Sequence, residues 1–242
     1  MKKFALLVGN GFTLDFVAPL GLNSSFPLKN FNSLDIQYEI EFMSHLPHIK
    51  EKLLNSDLHD FEAIKNYVDT FKNIEEDYQM KSQTGQYELL QDIKYRIATD
   101  SHVQLRRFLA MAYSVLQLKI DGADMNSWKW AEWLHQNNSK LTFAISLNYD
   151  LVLENALYLA GAPFYRVGTD EEFRRIPLIK PHGSIDFDLP SNFIGGNFNP
   201  WGISASLNDA QLVQVIPKAK WLIPRLEADI ISPSLHNIQA HI

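Results

Sequence analysis

Residues 141–157, LTFAISLNYDLVLENAL, constrain the fold more than any other stretch of the chain. The first seven, Leu141-Thr142-Phe143-Ala144-Ile145-Ser146-Leu147, form an apolar run of β-formers with no break for water. Such a run predicts a strand buried on both faces, as in a parallel sheet covered by helices. Asn148-Tyr149-Asp150 then interrupts it with two polar side chains, where the backbone is expected to turn. Leu151, Val152, Asn155, Ala156 and Leu159 recur at helical spacing behind them, and Gly161 ends the helix. Ligands of open α/β sheets bind beyond the carboxyl ends of the strands, which puts Asn148 and Asp150 within reach of one. The local alternative is that both residues cap the helix that follows, the ordinary use of Asn and Asp.

A second buried strand is predicted at Phe4-Ala5-Leu6-Leu7-Val8, ending in Gly9-Asn10-Gly11-Phe12-Thr13. Two glycines around one residue let the backbone turn sharply and let a ligand approach its N–H groups. With a helix starting near Thr13, the N–H groups of Asn10 to Thr13 and the positive helix end favour a pyrophosphate there. The third glycine of a dinucleotide fingerprint is missing, so an ordinary tight turn is the competing reading. Residues 18–32, with Pro19, Gly21, Asn23, Ser24, Ser25 and Pro27, have loop composition and are placed over the mouth of a site.

From residue 33 to residue 138 strand-like runs disappear and Gly and Pro become scarce. Phe61, Ile64, Tyr67, Val68, Phe71 and Ile74 form a helical stripe behind Asp57 or Asp60. Tyr87, Leu90, Ile93 and Ile97 repeat that spacing. Asp100 is expected to cap a further helix carrying Val103, Phe108, Leu109, Ala112, Val115 and Leu116. Asn126 or Ser127 begins a last one with Trp128, Ala131 and Leu134. Linkers are expected at residues 79–85 and 121–125. About a hundred residues exceed a single crossover, so 33–138 reads as a helical insertion module packed on the sheet. The domain itself then comprises residues 1–32 and 139–242.

Beyond Gly161, Phe164-Tyr165-Arg166-Val167 and Ile176-Pro177-Leu178-Ile179-Lys180 read as short strands joined by a charged turn. The second runs into Pro181-His182-Gly183-Ser184. Imidazole titrates near neutrality, so His182 is suited to accept or deliver a proton, although a structural role is the commoner one for a histidine in a turn. Residues 192–206 read as a Gly- and Asn-rich loop, and 212–216 and 228–231 as late strands. The tail, residues 232–242, has no strong pattern.

Composition narrows the chemistry. There is no cysteine, which excludes disulfides, thiolate catalysis and a cysteine-ligated zinc site. His45 and His48 are separated by Pro47, which disrupts helical ligand geometry, so no metal is expected. The formal net charge of -6 gives no basic face for nucleic acid. No apolar stretch approaches membrane-spanning length, and the run after Lys2-Lys3 is too short for a signal peptide. The expected location is the cytoplasm.

Three turns, Gly-Asn-Gly, Asn-Tyr-Asp and Pro-His-Gly-Ser, thus each follow a predicted strand. In this order they resemble the SIR2-like superfamily, whose sheet binds NAD. Gly9-Asn10-Gly11-Phe12-Thr13 resembles its first phosphate loop. Ser146-Leu147-Asn148-Tyr149-Asp150 resembles its Asn-x-Asp motif, and Lys180-Pro181-His182-Gly183-Ser184 its His-Gly motif. The Gly-Asn-Gly-Phe form is similar to the AbiH-type branch found in bacterial phage defence. The four-cysteine zinc ribbon and the Gly-Ile-Pro-Asp-Phe-Arg stretch of deacylase sirtuins are absent. So is the final strand with a Gly-Tyr-Ser-like loop near the adenosine ribose.

The resemblance implies a Rossmann-like, doubly wound parallel α/β sheet with a large helical insertion. It implies NAD hydrolysis to nicotinamide and ADP-ribose, as in antiphage abortive-infection effectors, rather than deacylation. Asn148, His182 and Asp150 are then the candidate catalytic residues. Asn148 would donate to and accept from a ribose hydroxyl or water, Asp150 would hold the carboxamide or offset positive charge, and His182 would take a ribose proton. Gly9, Asn10, Gly11, Phe12, Thr13, Ser146, Gly183 and Ser184 are the candidate NAD-binding residues. A homo-oligomer or a defence-system partner is the expected assembly. Two other readings stay open: a module that holds NAD or ADP-ribose as a signal, and a non-catalytic assembly subunit.

Overall fold

The structure, a computed structural model, describes residues 2–22, 49, 65–70, 93–189, 213–223, 225 and 228–230. The expected linker at 79–85, the loop at 192–206 and the tail lie outside the described residues. So do Phe61, Ile64, Phe71 and Ile74 of the first helical stripe and most of the loop from 18 to 32.

Four parallel strands form the main sheet: β1 (Phe4–Val8), β2 (Leu141–Ser146), β3 (Phe164–Arg166) and β4 (Ile176–Ile179), in the order β1-β2-β4-β3. The protein is therefore α/β. Leu6 pairs with Ala144, which pairs with Leu178, and these three side chains form one buried row. The next row, Leu7, Ile145 and Ile179, points to the other face of the pleat. There Leu7 is 65% exposed, and its neighbour Phe143 is 38% exposed. The expectation that β2 is buried on both faces therefore fails. An uninterrupted apolar run does not distinguish one buried face from two.

Helix α1 (Asn10–Val17) follows β1 directly, and a 3₁₀ turn, Ala18–Leu20, extends it to Gly21. Residues 65–70 are helical, with Tyr67 and Val68 in the core. Helix α2 (Ile93–Ile120) is one element of 28 residues, about 42 Å long. Asp100, expected to cap a separate helix, lies inside it. Of its expected stripe, Phe108, Leu109, Ala112 and Leu116 are buried and Val115 is half-buried, while the side chain of Val103 lies outside the described residues. Residues 121–125 form the expected turn. Helix α3 (Lys129–Asn137) has Trp128 at its cap position, so neither Asn126 nor Ser127 starts it. Asn126 instead donates its backbone N–H to Asp124 Oδ1 in the turn, at 2.9 Å. Helix α4 (Val152–Leu159) follows β2.

A second, antiparallel sheet comprises β5 (Gly183–Asp188), β6 (Gln214–Val215) and β7 (Ala228–Ile230), in the order β6-β5-β7. The two late strands are present, then, but belong here and not to the parallel sheet. The strand between them, β5, was not expected: GSIDFD carries two acids, which mask its burial. Arg166 answers the first of them, with Nη1 2.5 Å from Asp186 Oδ2. Arg225 pairs with the second, Asp188. Helix α2 packs on both β5 and β7, so the small sheet shares the core. Among the described residues, no helix is long and apolar enough to cross a membrane.

Candidate functional site

The three polar turns lie at the carboxyl edge of the parallel sheet. Val8 pairs with Ser146 and Ile145 with Ile179, so Asn148 and His182 each stand three residues beyond a registered pair. The Leu147 N–H donates to Val8 O at 3.0 Å, carrying the ladder into the turn.

Helix α1 begins at Asn10, three residues earlier than expected, with Gly9 as its cap. Gly9 has φ -138 and ψ -166, an extended conformation open to any residue. Gly11 is a first-turn helical residue. A Cβ at either position would meet nothing within 4 Å. The protein's own backbone therefore does not require these two glycines. The Phe12 N–H is engaged by Gly9 O at 2.9 Å, which leaves the peptides of Asn10 and Gly11 as the forward-facing part of the loop. The Phe12 ring is buried edge-on against Trp128, 4.7 Å between centroids, so it is a core residue. Trp128 Nε1 also donates to Asp15 Oδ2 at 2.8 Å, which pins α1 to the start of α3.

Thr13 joins two of the turns. Asn148 Nδ2 donates to Gly9 O at 3.0 Å and to Thr13 Oγ1 at 2.9 Å. The Thr13 hydroxyl donates in turn to Asp150 Oδ2 at 2.8 Å. The second carboxylate oxygen, Oδ1, accepts the Val152 N–H at 3.1 Å. Asp150 thus serves the first turn of α4, the local role expected of such a residue, and both its oxygens are engaged. Both amide protons of Asn148 are engaged too. Its Oδ1, however, is buried without a hydrogen-bond partner. The orientation of the amide follows from the network, since only its Nδ2 side can donate to Gly9 O. Asn148 consequently offers an acceptor and no donor, which corrects the expectation that it offers both.

The backbone of the turn is held from four directions. Ser146 Oγ accepts the Asn148 N–H at 3.3 Å. Tyr149 O accepts the Ile185 N–H at 3.0 Å and the Ser184 hydroxyl at 3.3 Å. Lys180 Nζ donates to Asp150 O at 2.6 Å, and Gln117 Oε1 accepts the Leu151 N–H at 2.8 Å. The backbone N–H and C=O atoms named here are each bonded, as a turn inside a protein requires. Ser146 and Ser184, expected to bind ligand, are engaged in building this turn.

The electrostatics follow from burial. Burial holds the Asp150 carboxyl above the usual carboxylate range, against the pull of Lys180 and the Thr13 hydroxyl. Burial likewise raises Glu154, against Lys180 and Arg166. Lys180 Nζ is 2.8 Å from Glu154 Oε1, both side chains being nearly inaccessible. The Tyr149 phenol is pushed up by burial, with its ring edge-on to Tyr113 at 5.1 Å. Phenolate chemistry at neutral pH is excluded there.

His182 is half-buried in the turn between β4 and β5. Gly183 beside it has φ +79, a region L side chains rarely adopt. A Cβ there would lie 1.9 Å from Asp229 O on β7. This glycine is required by the close approach of two strands, and its expected part in NAD binding has no such direct support.

The structure thus brings Gly9, Thr13, Ser146, Asn148, Asp150 and Ser184 into one bonded network and puts His182 at the same sheet edge. Gln117 and Lys180 were missed as members. A charged lysine ending an apolar strand was a visible signal; for Gln117, deep in a long helix, there was none. Compared with protein-family models and with curated proteins, the chain matches none.

Proposed function

We propose that the protein binds NAD at the carboxyl edge of a Rossmann-like sheet bearing a helical insertion, and hydrolyses it to nicotinamide and ADP-ribose. The observation that carries this reading is Asn148 Oδ1. It is a buried acceptor without a partner, in a turn whose Asp150 carboxylate and Asn148 amide protons are all engaged, beside a loop with two glycines at which a Cβ would meet nothing within 4 Å. An orphaned acceptor in a fixed frame suits an O–H donor: a ribose hydroxyl or the attacking water. The ordered motifs resemble the SIR2-like superfamily, which supports NAD as that donor's source and a cytoplasmic antiphage role for the reaction.

In this mechanism the bond from ribose C1′ to the nicotinamide nitrogen breaks, and its electron pair leaves with nicotinamide. Water adds at C1′ and loses a proton. Asn148 Oδ1 aligns the hydroxyl or the water, and His182, at the same edge, takes a proton. The Asn10 and Gly11 peptides, at the positive end of α1, receive the pyrophosphate. Asp150 supports the frame and does not touch substrate.

A second reading is favoured by one observation. The carboxylate of Asp150 and the amide protons of Asn148 are all internally engaged, so few groups remain for chemistry. A sensor that holds NAD or ADP-ribose without turnover needs no more than that. Free nicotinamide, measured after incubating purified protein with NAD, separates the two. Its release supports the hydrolase, and tight NAD binding without release supports the sensor.

A further inference from the structure

We infer that Lys180 is a positioning residue, whose buried ammonium holds the Asn148-Tyr149-Asp150 turn in register with the end of β4. The inference rests on the reading that this turn presents Asn148 to NAD. It deepens that reading by assigning a role to a residue two positions before His182.

The side chain of Lys180 is fully buried, and its Nζ makes two short contacts, 2.8 Å to Glu154 Oε1 and 2.6 Å to Asp150 O. They do different things. Glu154 lies in the first turn of α4 and supplies the opposite charge that lets an ammonium sit in the interior. Asp150 O belongs to the turn itself, in the same peptide group as the Leu151 N–H that Gln117 holds. A single ammonium therefore ties together the end of β4, the polar turn after β2 and the start of α4. Asn148 Oδ1 has no partner of its own to fix its aim. Its direction is set by Gly9, Thr13 and the backbone behind it, and Lys180 holds that backbone.

A stability role alone would reside in the Lys180–Glu154 pair, and a positioning role in the bond to Asp150 O. Replacing a buried ion pair by apolar side chains of similar volume is often tolerated by the fold, whereas removing one partner strands the other charge. Lys180→Met/Glu154→Met therefore removes both charges together and leaves Asp150 O without its donor. Glu154→Gln keeps the donor and an acceptor for it.

The experiment compares parent, Lys180→Met/Glu154→Met and Glu154→Gln in the full chain. Each is assayed for nicotinamide release and for amide hydrogen exchange at Leu151 and Val152. The double variant is expected to fold and to melt somewhat below the parent, since Asp150 O is left buried without its donor. It should lose on the order of 30-fold in kcat with KM changed by less than about 3-fold, and should exchange both amides at least about 10-fold faster. Glu154→Gln removes the compensating charge and is expected to melt lower than the parent, while keeping kcat and protection within about 3-fold because Lys180 Nζ still donates to Asp150 O. A double variant with parental kcat and parental protection overturns the inference. So does loss of both in Glu154→Gln; should the double variant not fold, Lys180→Met/Glu154→Gln is read by the same two measures, and parental values there overturn the inference. If the parent releases no nicotinamide, the hydrolase reading fails on its own account. The exchange rates then still support or overturn the positioning role.

Discussion

Asn148 Nδ2 lies 2.9 Å from the hydroxyl of Thr13, a residue 135 positions away on α1. That hydroxyl passes the bond on to Asp150, so one small side chain joins the turn after β1 to the turn after β2. Thr13→Val keeps the shape and removes the hydroxyl. It leaves an Asn148 proton and an Asp150 oxygen buried and unsatisfied, each costing about 1–3 kcal/mol. Chemical denaturation of Thr13→Val should show a loss of about 3 kcal/mol, and Thr13→Ser should recover most of it. A neutral Thr13→Val would mean that the network carries no weight.

Two glycines that look alike in sequence should behave oppositely. Gly183→Ala places a Cβ 1.9 Å from Asp229 O at a φ of +79, so the β5–β7 contact has to open. We expect a loss of more than about 3 kcal/mol, read as a fall in thermal midpoint or in soluble yield. Gly11→Ala meets nothing within 4 Å and lies in a helix, where alanine is favoured by about 0.5–1 kcal/mol. That variant should melt no lower than the parent while binding NAD more weakly, because its methyl faces the loop assigned to the pyrophosphate. Unchanged NAD affinity in Gly11→Ala would remove that assignment.

Asp229 provides a pH signature. Burial pushes its carboxyl from 3.8 up to about 6, opposed by Arg106 and reinforced by Asp188. The folded state therefore holds a proton that the unfolded chain has lost between about pH 4 and pH 6. Stability contributed by this group is full below pH 4, falls as pH rises through that window, and is constant above it. Asp150 and Glu154, also raised by burial, act with the same sign, so the parent must be compared with Asp229→Asn. The difference between their unfolding free energies should change by on the order of 2 kcal/mol from pH 4 to pH 7. Parallel curves would contradict the assignment.

How far the sequence carried the fold can be followed through particular residues. β1 and β2 were legible because apolar runs of β-formers bounded by Gly or Asn have few other solutions. The start of α1 was misplaced because Gly9-Asn10-Gly11 reads as a turn, whereas Gly11 tolerates the helix that the Phe12–Trp128 contact stabilises. Asp100 suggested a cap that the continuous apolar stripe of α2 overrode. β5 was hidden because its acids are answered by Arg166 and Arg225, partners that no local pattern announces.

The candidate site was legible as three turns and not as a network. Thr13 and Asp150 lie 137 positions apart, and Gln117 and Leu151 lie 34 apart. Hydrogen bonds of that span have no periodicity to betray them. Only the three-dimensional arrangement shows that Asp150 is engaged while Asn148 keeps one free oxygen.

The most direct measurement is nicotinamide release at saturating NAD by the parent, Asn148→Ala and His182→Ala, beside calorimetric NAD binding by each. The parent should release nicotinamide. Both variants should bind NAD within a modest factor of the parent and lose on the order of 100-fold or more in rate, as expected when a group acting chiefly in the transition state is removed. Release by an Asn148→Ala/His182→Ala double variant at the parental rate would contradict the account.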